Sequence, residues 1–339
     1  MKLNSLKGKF TISASEFSKY RGVLMGIATI MILIIHSYEC NVNYPDVLNG
    51  MLKKTYIGVD IFLFVSGLGI WYSLSKNDGF LEFYKRRILK ILPVFLPIFA
   101  LFSLWKFWGG SIVEYLRYVS TLSYWQNGTG VWYVALIFPL YLITPFFYKL
   151  YKKSRYPLIL TSIIIASIII ICGILLKYES IALCSNIAFA FKRTPSYFIG
   201  ILFGRWATEN KKISLPLTCL CSIILYVVVN KCISYDYDKF PLMLFVACLI
   251  VMIMQFVRIK PINSVLKWFG TISLESYLFN DALLEIALYY KIITKPVGTN
   301  DDVIAYLAIA LIGTALAYCY HYFILPMIEK ILYIKRGKI

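Results

Sequence analysis

Histidine is nearly absent from this chain, and charge of either sign is scarce: two histidines in 339 residues, and 15% of residues charged. A soluble domain carries about 25% charged residues. Acids are the scarcer sign, 17 Asp and Glu against 35 Lys and Arg. The eight cysteines follow no metal-ligand spacing, and most of them (Cys172, Cys219, Cys221, Cys248, Cys319) sit inside apolar runs. They read as small buried hydrophobes, not as a disulfide framework or a metal site. No Pro-, Gly- or Ser-rich linker and no low-complexity tract divides the chain, so a string of soluble modules is excluded.

What the sequence has instead is apolar residues, 60% of the total. They recur in runs long enough for a helix to cross a hydrocarbon layer, which takes roughly 20 residues. Ten such runs are read at 22–40, 56–75, 89–108, 131–149, 157–176, 194–209, 214–232, 240–257, 265–290 and 302–333. A membrane β-barrel would alternate apolar and polar residues in ~10-residue strands, and stretches such as LILTSIIIASIIIICGILL do not alternate. The expected fold is all-α: a polytopic transmembrane helical bundle of about ten spanning helices, forming a single membrane-embedded domain over 1–339 with tails at 1–20 and 334–339. The first 20 residues are too polar for a cleaved signal peptide, and no fused soluble domain is expected.

The net charge of +18 would suggest nucleic acid in a soluble protein. Here it follows the positive-inside rule. The N-terminal tail with Arg21, the C-terminal tail with Lys330, and the segments 76–90, 149–155, 205–212 and 258–267 hold 24 of the 35 basic residues. Both termini are therefore expected on the cytoplasmic side of the cell membrane. No aromatic-basic patch lies outside the apolar runs, and nucleic-acid binding is not expected.

Ionisable groups inside spanning helices are costly and mark candidate function. His36 lies near the outer end of the first run and Asp60 in the second, which returns inward. Singly, each has a plain explanation: an interfacial histidine satisfied by water, and a carboxylate favoured at a helix N-terminus. Together they suggest an imidazole–carboxylate pair for general base catalysis. Ser66 and Gly67, deeper on the second helix, read as packing residues. The ninth run carries Glu275, Asn280 and Asp281, and the last run holds His321. At the cytoplasmic end of the third run, Arg87 and Lys90 are three apart and share a face, with Arg86 adjacent. They serve either as topology anchors or as a phosphate clamp, and composition does not choose between the two.

At these residues the chain resembles the acyltransferase 3 family of membrane-bound acyltransferases. GIATIMILIIH (26–36) is similar to the family's first-helix motif ending in a catalytic histidine, and GVDIFLFVSG (58–67) to its second-helix signature. RRILKILP (86–93) resembles the basic R-x-x-R motif, with Lys90 in place of the second arginine. VWYVALIFPLYLITP, PSYFIGILFGRW and ISLESYLFN resemble later segments in the same order. The resemblance implies transfer of an acyl group, most often acetyl, from cytoplasmic acyl-CoA as co-substrate to a hydroxyl of a glycan acceptor at or beyond the outer leaflet.

His36 would be the base and Asp60 its orienting partner. Arg21, Arg86, Arg87 and Lys90 would bind the donor, and Trp132, Glu275 and Asn280 would be polar groups for substrate or structure. No metal is implied, and a homo-oligomer stays open. Two positions depart from the family: Met25 stands where a basic residue is usual eleven before the histidine, with Arg21 one turn further in, and Asn280 stands where many members have histidine. A transporter or flippase for lipid-linked sugars is the alternative from another class, and an inactive interaction partner is a third.

Overall fold

The computed structural model describes residues 11–39, 46–233, 237–256, 259–293 and 300–332. The chain is 85% helical. Among the described residues the one sheet is a two-stranded antiparallel ribbon, β1 (Thr11–Ser13) with β2 (Lys212–Ser214), in which Ile12 faces Ile213. The helices that matter to the site are α1 (Arg21–Glu39), α2 (Gly58–Lys76), α3 (Phe80–Lys106), α4 (Ile112–Val119), α5 (Leu122–Asn127), α6 (Trp132–Lys153), α7 (Pro157–Leu176), α8 (Ala182–Phe191) and α9 (Thr194–Thr208). They continue with α10 (Leu215–Cys232), α11 (Lys239–Phe256), α12 (Lys260–Thr271), α13 (Ser273–Tyr289) and α14 (Asn300–Cys319), then a π-helical turn (Tyr320–Ile324) and α15 (Leu325–Ile331).

Six helical stretches among the described residues are long and apolar enough to cross a membrane, and two shorter apolar helices, Arg21–Ser37 and Lys239–Gln255, accompany them. This is a membrane protein, but a count of ten spans does not carry over directly. The run 194–209 forms the 15-residue α9. The run 265–290 is two helices, broken at Ile272, the junction between α12 and α13. The break lets the amphipathic α12 lie along α1, where Gly26 and Gly270 permit close approach: a Cβ on Gly26 would sit 1.8 Å from the Leu266 carbonyl oxygen.

The bundle has a closely packed centre and an apolar exterior. α2 is 67% buried over its most apolar window, whereas α7 and α10 are each 17% buried. Ile159, Ile163, Ile170, Ile171 and Ile174 of α7 face outward, a surface that suits lipid and that soluble monomers rarely show. α2 packs most closely on α9. A Cβ on Gly67 would meet the Tyr197 carbonyl oxygen at 2.2 Å, and one on Gly200 the Phe64 carbonyl oxygen at 2.1 Å. Small residues that let two backbones touch are the usual means of joining helices in a membrane, where the hydrophobic effect supplies no drive. Gly67 thus has the packing role its sequence suggests. Its neighbour Ser66 turns to α6, with its hydroxyl 3.3 Å from Tyr141 Oη.

Candidate active site

α1 and α2 run antiparallel, and their register sets the height of each polar group. Gly58 meets α1 at Ala28 and Ile32, while Gly69 lies against the guanidinium of Arg21. Asp60 is therefore level with the middle of α1, and His36 stands about two turns beyond it. The two side chains do not pair. Both Asp60 oxygens are engaged by α9 and the residue before it: Arg193 Nη1 at 2.5 Å and Ser196 Oγ at 2.9 Å, with the carboxylate fully buried. The sequence could not reveal this, because it shows that two helices are antiparallel but not how far they slide. Asp60 is instead a latch between α2 and α9.

Removing one partner of a buried ion pair leaves an uncompensated charge and costs about 3–5 kcal/mol. Arg193→Ala is expected to lower the thermal stability of the purified protein by that order, and Asp60→Asn by less. The double variant Asp60→Asn/Arg193→Met should recover part of the loss, which thermal unfolding in detergent measures.

His36 lines a small cavity with Thr29, Leu33, Phe62, Ser276 and Tyr277. Two of the lining residues are aromatic: Tyr277 lies 6.3 Å from the imidazole, centroid to centroid, and Tyr133 packs behind both rings, 6.2 Å from Tyr277 and 6.3 Å from Phe62. Among the described residues the imidazole has no hydrogen-bond partner. Asn280 closes the cavity on α13. Its amide nitrogen donates to the Ser276 carbonyl at 2.8 Å, while its buried oxygen has no partner and lies against Gly313. Trp132 packs on Tyr133 and Phe189 and is not among the residues lining the cavity, and its neighbour Tyr133 packs behind the lining rings.

Towards the other end of α1 a cluster of cations forms. Arg21 and Arg87 act on one another electrostatically, and both act on Lys90, as does Glu275. The Arg87 guanidinium lies over the Phe83 and Tyr141 rings at 5.5 and 5.7 Å. No carboxylate lies within ion-pair distance of Arg21, Arg87 or Lys90 among the described residues, and Nε of both arginines lacks a partner. Arg86 is not part of this cluster. It reaches back to the Asn77 carbonyl at 3.2 Å and to Glu82 at 3.8 Å, since one residue's step along a helix turns a side chain by 100°. Met25 packs against α12 at Gly270, and Arg21 lies one turn below it on α1.

Glu275 is joined to His321, Oε1 to Nδ1 at 2.7 Å. The histidine–carboxylate pair of this protein is therefore formed by α13 and the π-helical turn, not by α1 and α2. Sequence patterns missed this pair, and they also missed Arg193. Arg193 had a signal, an arginine on the expected outer side directly before a buried glycine-rich helix, which calls for a buried acid.

Residues 23–333 match the model of an acyltransferase domain, nearly the whole chain. The chain belongs to the acyltransferase 3 family. No curated protein and no solved structure matches it. The arrangement places an imidazole in a partly aromatic cavity at one height of the bundle and a cluster of cations at another. Arg21 and His36, at the two heights on α1, are ~22 Å apart along the helix axis.

Proposed function

We propose that this membrane acyltransferase moves an acyl group, most readily acetyl, from cytoplasmic acyl-CoA to a hydroxyl of a glycan held at the outer side of the cell membrane. The observation that supports this reading is the set of three cations, Arg21, Arg87 and Lys90, with no carboxylate at ion-pair distance among the described residues. A cluster of like charges inside a bundle is costly unless an anion completes it. The phosphates of CoA are such an anion, and guanidinium groups suit them. The flexible arm of the donor would reach from the cluster past Tyr141 towards His36. There the imidazole takes the proton of the acceptor hydroxyl as its oxygen attacks the thioester carbon and the thiolate of CoA departs. The aromatic rings that line the cavity with the imidazole, Phe62 and Tyr277, suit the apolar faces of a sugar ring.

The test is transfer in vesicles of defined orientation. A single cysteine at Gly128 is expected to react with a membrane-impermeant reagent from the extracytoplasmic side, and one at Asn77 only from the opposite side. With radiolabelled acetyl-CoA confined to the Asn77 side, labelled glycan should form. Transfer only from the Gly128 side would reverse the orientation, and glycan translocation without any acyl transfer would favour a flippase.

A further inference from the structure

The last of the described helices changes its winding where it packs on α3 close to Lys90: Tyr320, in that turn, donates to the Pro93 carbonyl at 2.6 Å, three residues beyond Lys90. Between α14 and α15 the turn Tyr320–Ile324 is π-helical, and α15 has Pro326 in its first turn. Proline has no N–H to give to the carbonyl one turn back, so the regular ladder cannot pass through it. A wider turn is one way a helix absorbs that defect, and such turns recur at functional positions. His321 lies in this turn and bonds Glu275 across the helix interface at 2.7 Å. The pair is well inside the bundle, with side chains 4% exposed for Glu275 and 16% for His321.

Glu275 is also the acid whose charge bears on Lys90, together with Arg21 and Arg87. Its bond goes to His321, and Lys90 is not in ion-pair contact with it. A carboxylate at that range softens the mutual repulsion of three cations. A carboxylate directly on Lys90 would instead fill the place an anionic ligand needs. The imidazole decides between the two: without it, a buried carboxylate oxygen loses its partner at substantial cost, and the flexible Lys90 amine, on which its charge already bears, is a replacement.

We propose that His321 is a positioning residue for the donor site: by holding Glu275, it keeps that carboxylate off Lys90 and leaves the cations open to donor phosphates. This rests on the acyl-CoA reading above and adds a residue that acts through Glu275 without touching the donor.

The experiment is CoA binding to the purified full-length protein in detergent, by calorimetry, for wild type, His321→Ala, Glu275→Gln and the double variant. His321→Ala is expected to weaken CoA binding about tenfold, the scale of one hydrogen bond to a charged group. Glu275→Gln should bind at least as tightly as wild type, and adding it to His321→Ala should restore wild-type affinity. A pair needed only for structure would give a double variant as weak as the single one. That result, or wild-type affinity in His321→Ala, overturns the proposal. If His321→Ala yields no folded protein, Glu275→Gln decides: affinity equal to or above wild type supports the proposal, and weaker binding overturns it. Failure of the wild type itself to bind CoA would instead remove the donor reading.

Discussion

Replacing His36 with alanine is expected to abolish acyl transfer, by at least ~10³-fold, while CoA binding and folding survive. The expectation comes from position and chemistry together. The imidazole lines a cavity together with Phe62 and Tyr277, and among the described residues no side chain occupies its nitrogens. A positioned general base typically contributes 10²–10⁴-fold, and here it also opens the attack. His36→Gln separates the explanations, since it keeps hydrogen bonding but cannot take a proton. It should fail as completely as alanine in vesicles supplied with labelled acetyl-CoA. Near wild-type transfer by His36→Gln would sink the mechanism. Asp60 offers an internal contrast. It bonds to Arg193 and Ser196 rather than to His36, so Asp60→Asn should lose activity only in proportion to folded protein.

The second large effect is expected at the cations. Removing Arg21, Arg87 and Lys90 together should reduce CoA binding below detection, because each hydrogen bond to a charged group contributes about 1.5–3 kcal/mol. Arg87→Ala alone should weaken binding about tenfold or more, and Arg87→Lys less, since the charge stays and only the planar fork is lost. Arg86→Ala is the comparison. Arg86 is tied to Asn77 and Glu82 at the start of α3, so its loss should leave affinity nearly unchanged. Calorimetry on purified variants reads all of these. A folded triple variant that binds CoA normally would make the cluster a topology anchor and nothing more.

Part of the site was visible in the order of residues. His36 was legible through the motif that it ends, GIATIMILIIH, since alone it has the plain reading of an interfacial histidine and its expected partner Asp60 lies elsewhere. Arg87 and Lys90 were legible as a pair because three residues along a helix return to the same face. The residues that sequence patterns missed are joined across long stretches of chain: Arg193 to Asp60, and His321 to Glu275.

The amino-acid sequence by itself determined that this is an all-α membrane protein, because a helix is the one single-segment structure that satisfies its own backbone in hydrocarbon. It also determined the family, through short motifs whose spacing lies within single helices, where 1.5 Å per residue fixes geometry without reference to neighbours. The tertiary structure decided which helices touch and at what height. The slide of α2 along α1 separated Asp60 from His36, the break at Ile272 divided one apolar run into two helices, and a π-helical turn faced His321 onto Glu275. Each is a matter of register between helices, set by glycines, backbone contacts and proline positions acting together. Apolar periodicity is nearly blind to such shifts, since sliding one greasy helix a turn past another leaves its pattern unchanged.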